Sequence, residues 1–281
     1  MTTQDPRPDP RPSNPLKLMA ILAHPDDESM GLGGTLARYA AEGVSTHLVT
    51  ATRGEKGWFG PPEENPGPYR LGRIRQAELL NAAQILDLHS VDFLNLIDGE
   101  LARFDVYEAM AHIVSLVRSI RPQVVVTFGP DGDYGHPDHI AISQLTSGAL
   151  VCAADPMYPG ETRPAHRVSK LYHMVNGPRL VRLLTQQFGD EISIEVDGIR
   201  RSLVSWPEWA ITTRLEIGEH WRTACKAILC HRSQLPALGD IERLTDERWC
   251  ELLTAQGTFI RQYSLVAVGP GVENDLFTGV R

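Results

Sequence analysis

The sequence predicts an α/β fold: an open, mostly parallel sheet, doubly wound, with helices on both faces and a C-terminal α/β elaboration. Three observations predict it. Apolar runs of strand length alternate with segments of helical periodicity through the first two thirds of the chain. The joints between them are short. Strand–helix–strand units of this kind imply parallel pairing.

The elements follow in order. Residues 1–15 alternate proline with charge, cannot build a core, and read as a flexible Pro-rich tail. LKLMAILA (16–23) is a first buried strand. A helix over about 30–42 stops at Gly43, and VSTHLVTAT (44–52) is a second strand. The Gly/Pro-rich segment 54–68 is a long loop of the kind that often covers a site. A helix over about 70–87, a strand at 91–96, a helix at 104–120 and the strand QVVVTF (123–128) follow. A polar loop, 129–139, leads to a helix at 140–154 and a strand at 169–175. The last third is less regular: Trp206–Pro207 and Trp209 lie between β-rich stretches. Residues 218–232 and 245–256 look helical, and 258–268 strand-like. No linker or repeat interrupts residues 16–281, so the expectation is one domain, with a core at 16–175 and an elaboration at 176–281.

Composition narrows the function. With 42% hydrophobic and 22% charged residues in 281, a disordered chain is excluded. A formal charge of −8 argues against a nucleic-acid groove, though not against a local basic pocket. No apolar run reaches a membrane span, and the polar N-terminus lacks a secretory apolar region, so no membrane anchor is expected. Four cysteines without a C-x-x-C pair fit a reduced, cytoplasmic protein in which they serve as small apolar residues.

Two loops carry chemistry. AHPDDES (23–29) follows the first strand, and YGHPDH (134–139) follows QVVVTF. Ligands of open α/β sheets bind beyond the strands' carboxyl ends, so both loops point into one crevice. His24, Asp27 and His139 supply two nitrogens and one oxygen for a zinc ion, with a fourth position open to water. Asp26 cannot point the same way as Asp27 and is a candidate general base. His136 could stand across a reacting carbonyl as imidazolium, with Asp138 holding its tautomer. The plainer alternative is that Asp26, Asp27 and Ser29 cap one helix and Asp138 another, with Pro25 and Pro137 stiffening turns. Capping needs no histidine, yet three of the ten histidines fall in these two loops.

AHPDDE with a later GHPDH resembles the PIG-L/LmbE-like family of zinc-dependent N-deacetylases, over roughly residues 16–175. The family includes de-N-acetylases of GlcNAc-phosphatidylinositol and of GlcNAc-inositol, and the related mycothiol-conjugate amidase. The resemblance implies a Rossmann-like fold and a metal held by His24, Asp27 and His139. It implies Asp26 as base and His136 as second histidine, and it places the YGHPDH tyrosine at Tyr134, which either adds a hydroxyl to the oxyanion site or is a plain loop aromatic. It also implies Zn2+ as cofactor, with Fe2+ as the other metal such ligands accept.

On the helix at 70–87, Leu71, Ile74, Ala82, Ile85 and Leu86 share one face with Arg75 and Glu78. A charge turned inward must be paired or used. Either the two form a mutual ion pair, or Arg75 binds a sugar hydroxyl or phosphate with Glu78 orienting it. Asp98 is either a turn residue or an acceptor for a sugar hydroxyl. Trp58 and Phe59 either stack on a sugar ring or fold back on the core. KAILCHRSQ (226–234) resembles a late K…H-x-S-Q element of the family and makes His231 a candidate pocket residue.

The expected activity is metal-dependent removal of an N-acetyl group from a glucosamine-containing substrate. The expected partner is thus a small amino-sugar conjugate, with a homo-oligomer left open. The alternative is an amidase acting on a mycothiol-type thiol conjugate through the same metal. A non-catalytic reading as a dinucleotide-binding module fails on its motif, because G-x-G-x-x-G meets Leu36 and acidic residues precede the glycines. A purely structural metal site would need a fourth protein ligand.

Overall fold

The computed structural model describes residues 15–189, 193–196 and 198–281. Apart from Pro15, the tail expected at 1–15 lies outside the described residues. The chain runs β1 (Lys17–Leu22), α1 (Asp27–Ala41), β2 (Ser45–Thr50), α2 (Pro68–Ile85), β3 (Ser90–Phe93), α3 (Val106–Ile120) and β4 (Val124–Phe128). A single kinked turn, α4 (Gly132–Gly135), precedes α5 (Pro137–Ala154) and β5 (Lys170–Met174). Then come α6 (Pro178–Phe188), the hairpin β6 (Ser193–Val196) and β7 (Ile199–Ser202), and β8 (Thr213–Arg214). The chain closes with α7 (Trp221–Ile228), α8 (Asp246–Thr254) and β9 (Thr258–Ser264).

The main sheet has the order β3-β2-β1-β4-β5-β9-β8. Its first five strands are parallel, whereas β9 and β8 are antiparallel. Helices α1 and α2 pack with α7, and α3 packs with α5. Strand order reverses between β1 and β4, so the loops leaving these two strands open into the crevice where such sheets bind ligands. β1, β2 and β4 are buried along almost their whole length; β1 and β4 are mostly apolar, whereas β2 (STHLVT) buries Ser45, Thr46, His47 and Thr50 as well.

Differences from the sequence expectations have local causes. Helix α1 begins at Asp27 rather than near residue 30, and α5 at Pro137 rather than 140. Both loops are therefore tighter than expected, and their acidic residues lie in first helical turns. On α2 the buried face is Leu71, Arg75, Glu78, Leu79 and Ala82, while Ile74 and Ile85 are exposed. The polar pair thus sits at the centre of the inward face rather than on its edge. The glycines of α1 are packing residues: a Cβ on Gly33 would come 3.0 Å from Ala224 Cβ, and one on Gly34 would strike Ile217. They let α7 approach α1 closely. Helix α6, the β6–β7 hairpin and β8 had no clear sequence signal. Among the described residues, no helix is long and apolar enough to cross a membrane.

The C-terminal strands are tied on by buried charge. Lys170 on β5 is fully buried, and its Nζ donates to Glu273 Oε1 at 2.6 Å. Tyr172 and Thr213 hydroxyls donate to Glu273 Oε2 at 2.8 and 2.9 Å. Burial works against the carboxylate, but these donors outweigh it and hold Glu273 below its ordinary pKa. Removing one partner leaves a buried charge unpaired. Glu273→Ala should therefore lose about 3–5 kcal/mol of unfolding free energy, measured by denaturant titration. A carboxyl with a depressed folded pKa stabilises fully above its unfolded value, near ~4.3, and stops stabilising as pH falls through the folded value. Wild type should thus lose stability between about pH 5 and pH 3 more steeply than Glu273→Gln.

Candidate active site

Both histidine-bearing loops meet at the reversal of strand order. His24 leaves the end of β1. His139 lies in the first turn of α5, where its ring stacks on Phe128 at the end of β4, with centroids 3.8 Å apart. His24 Nδ1 is 3.2 Å from His139 Nε2. Asp27 Oδ2 lies 3.7 Å from His24 Nδ1, and Asp27 Oδ1 lies 3.4 Å from His139 Nε2.

Hydrogen-bond partners decide which ring atoms are free. His139 Nδ1 donates to Gly132 O at 3.2 Å, which leaves Nε2 as a lone pair. His24 Nε2 faces Asp98 Oδ1 at 3.2 Å and Asp138 Oδ2 at 3.3 Å, so the proton belongs there and Nδ1 is available. Two imidazole nitrogens and a carboxylate thus converge with their lone pairs inward, an arrangement suited to a divalent cation. The electrostatics agree. Burial drives Asp27 up to about 8. Burial opposes charge on His24, but Asp138, Asp98 and Asp27 overcome it and raise its pKa well above the ordinary value. The cluster demands positive charge at its centre, and a cation held by these three residues would provide it.

Asp26 stands beside this cluster with every polar group engaged. Its backbone lies at φ 129°, ψ −29°, a conformation costly for a residue with a side chain. Its N–H donates to Glu28 Oε2 at 3.0 Å, and its carbonyl accepts from Ser29 and Met30 N–H. Arg75, 3% exposed, reaches Asp26 Oδ2 at 3.2 Å and donates to Pro25 O and Gly54 O. Burial pushes the Asp26 carboxyl upward, against the charge of Arg75. The capping alternative for this loop is not what the residues do. Asp26 makes no side-chain cap, and Asp27 Oδ2 accepts from Ala23 and His24 N–H, upstream of the helix.

Several expected contacts are arranged differently. His136, not Asp138, caps α5: its Nδ1 accepts from Asp138 N–H at 3.1 Å. The Asp138 carboxylate turns away from His136 to His24 and to the N–H groups of Gly99 (2.7 Å) and Leu101 (3.2 Å). Burial pulls His136 down to about 4, and because its Nδ1 accepts from Asp138 N–H, its ring is a neutral Nε2–H donor rather than an imidazolium. Asp98 is 5% exposed and accepts from Lys56 N–H besides facing His24, so it is neither a simple turn residue nor a free acceptor in the crevice. Glu78 does not orient Arg75; it accepts from Ser233 N–H and Oγ at 2.8 and 2.7 Å. Tyr134 rests edge-on against His136 and His139. Trp58 folds onto its own loop through Nε1 to Pro61 O, while Phe59 is exposed.

The last third reaches the site at two places. Arg201 on β7 donates to Gly135 O at 2.7 Å, and Val204 N–H to Asp133 O, pinning the loop that carries Tyr134 and His136. His231 reaches Glu28 from below. Glu28 has no assigned role in the sequence, where its only signal is its place in the acidic Asp-Asp-Glu run before the glycines.

Residues 19–150 match the family model described as PIG-L, GlcNAc-PI de-N-acetylase. The chain is 33% identical to a 1D-myo-inositol 2-acetamido-2-deoxy-alpha-D-glucopyranoside deacetylase of Streptomyces griseus, over 94% of this chain and 89% of that protein. A protein of the same name from Streptomyces avermitilis is 32% identical, over 94% and 97%. Among solved structures, a conserved protein from Thermus thermophilus superposes with a TM-score of 0.61 at 27% identity, covering 90% of this chain and 97% of that one.

His139→Ala and Asp27→Ala should each lose stoichiometric divalent metal, read by elemental analysis after dialysis against limiting zinc. Groups behind a ligand usually tune affinity by about 10–100-fold. Asp98→Asn and Asp138→Asn should weaken binding by that amount without abolishing it, in a chelator-competition titration. Wild-type affinity in all four variants is the result that rejects this ligand set.

Proposed function

Because the chain belongs to the PIG-L family of N-deacetylases, we propose that it hydrolyses the N-acetyl group of a glucosamine-containing small molecule, with a GlcNAc-inositol conjugate as substrate. The convergence of His24 Nδ1, His139 Nε2 and Asp27 beside an immobilised Asp26 carries this reading. Names of relatives supply the sugar: both Streptomyces proteins are inositol-glycoside deacetylases.

His24, Asp27 and His139 would hold the metal, proposed as Zn2+, with Fe2+ the other ion an N/O ligand set accepts. When bound, such an ion polarises a carbonyl and makes water nucleophilic near neutral pH. The chain's own groups do the rest. Asp26 takes the proton from the attacking water, and Arg75 keeps its carboxylate aimed and ionised until then. His136 has its proton on Nε2, since Nδ1 accepts from the helix, and that N–H donates to the oxygen that becomes negative as the carbonyl turns tetrahedral. Tyr134, beside both rings, is a second donor for the same oxygen. Asp26, now protonated, passes its proton to the departing amine. The C–N bond breaks, and acetate and the free amino sugar leave. Asp98 and Asp138 act behind His24 by fixing the tautomer that exposes Nδ1.

Acetate release from a GlcNAc-inositol glycoside tests the substrate, against cleavage of a cysteine-conjugated glucosaminyl-inositol as the rival amidase reaction. Asp26→Asn should keep its metal while kcat falls by about 10²–10⁴-fold. His136→Ala should lower kcat by about 10²–10³-fold, the usual worth of one oxyanion donor. Unchanged turnover in the Asp26 variant rejects the base assignment. Faster cleavage of the conjugate than acetate release rejects the deacetylase reading.

A further inference from the structure

Beneath Asp26 lies a second polar cluster that the chemistry above does not use. Glu28 and His231 are both 0% exposed. His231 Nε2 is 2.7 Å from Glu28 Oε1, and Ser29 Oγ donates to that same oxygen at 2.5 Å. Glu28 Oε2 accepts the Asp26 N–H at 3.0 Å. His231 Nδ1 is buried with no hydrogen-bond partner among the described residues. Neither Glu28 nor His231 is within reach of a substrate, and a buried imidazole with one orphaned nitrogen is costly as a packing choice. An apolar residue at 231 would avoid that cost. The arrangement makes sense through what Glu28 does with its other oxygen.

We infer that His231 is a positioning residue for Asp26, acting through Glu28, and that this is one way in which the C-terminal third of the chain takes part in the reaction. The inference rests on Asp26 being the base. His231 Nε2–H fixes one oxygen of Glu28. The other oxygen then meets the Asp26 N–H at the one place that holds residue 26 at φ 129°. Without that acceptor, the residue relaxes toward the ordinary helical N-terminal conformation, and the carboxylate swings away from the line set by Arg75. His231 is itself placed by its neighbours. Ser233 binds Glu78 on α2, and Gln234 Nε2 donates to Gly57 O at 3.0 Å. The segment 231–234 thus clamps α1, α2 and the 54–57 loop around the base. Displacing a reacting group by about 1 Å costs about 10²-fold in rate.

A double-mutant cycle on kcat for acetate release tests this, with metal content and thermal unfolding recorded for every variant. His231→Leu should keep metal and lower kcat by about 10²-fold, with KM little changed. His231→Gln, whose amide N–H reaches Glu28 Oε1, should recover to within about threefold of wild type. In an Asp26→Asn background, His231→Leu should cost almost nothing more, because a residue that works only through Asp26 has nothing left to aim. If His231→Leu does not fold, His231→Asn, too short to reach Glu28, replaces it in the cycle. Equal losses in both backgrounds, or no loss in folded His231→Leu, overturn the inference. Full activity in Asp26→Asn alone overturns the base assignment instead, so the two failures are told apart.

Discussion

Two imidazole nitrogens stand 3.2 Å apart at the head of the sheet, each with one oxygen of the Asp27 carboxylate 3.4–3.7 Å away. Held together in a buried place, they require positive charge between them. Much of the surrounding structure answers that requirement. Asp98 and Asp138 draw the His24 proton to the far side of the ring, and Gly132 O does the same for His139. Asp138 is steadied by two backbone N–H groups from the segment after β3, so a third strand joins the two that carry the histidines. The reversal of strand order between β1 and β4 brings these groups to one point.

Asp26 is governed by the opposite logic. It is adjacent in sequence to Asp27, yet its carboxylate faces Arg75 while that of Asp27 faces the two histidines. A twist to φ 129° at this residue separates its carboxylate from that of Asp27. The twist is held by hydrogen bonds of the N–H with Glu28 and of the carbonyl with the start of α1, and by an ion pair of the carboxylate with Arg75. Strain of this kind persists only where the surroundings over-determine it. Here the surroundings come from α2 and, through Glu28, from His231, 203 positions along the chain from that acid.

His136 caps a helix and, in the proposed reaction, donates a hydrogen bond from the same ring. As the cap of α5, it gives up its Nδ1 lone pair to a backbone N–H of the first turn. That choice leaves Nε2 as the protonated nitrogen. The reading of the ring as an imidazolium oriented by the Asp138 carboxylate gave the right neighbour and the wrong contact, because that carboxylate serves His24. Arg201 and Val204, from the segment after the parallel core, fasten the loop that presents this histidine.

The parallel core and the two histidine-bearing loops are legible in the sequence alone. Unbroken apolar runs leave few choices other than buried strands, and a strand–helix alternation leaves few other than parallel pairing. Residue type then indicated which side chains suit a metal. It also indicates that Arg75 and Glu78 face inward, but Ile74 and Ile85, apolar yet exposed, shift the apparent centre of that face. Only the tertiary structure decided the partners: Arg75 with Asp26, Glu78 with Ser233, Glu28 with His231, and Asp138 with His24. It alone decided that β9 and β8 close the sheet antiparallel. The physical reason is range. Periodicity and motif spacing report forces between near neighbours along the chain. The proton positions and carboxylate directions at this site are set by contacts between segments that only the completed fold brings together.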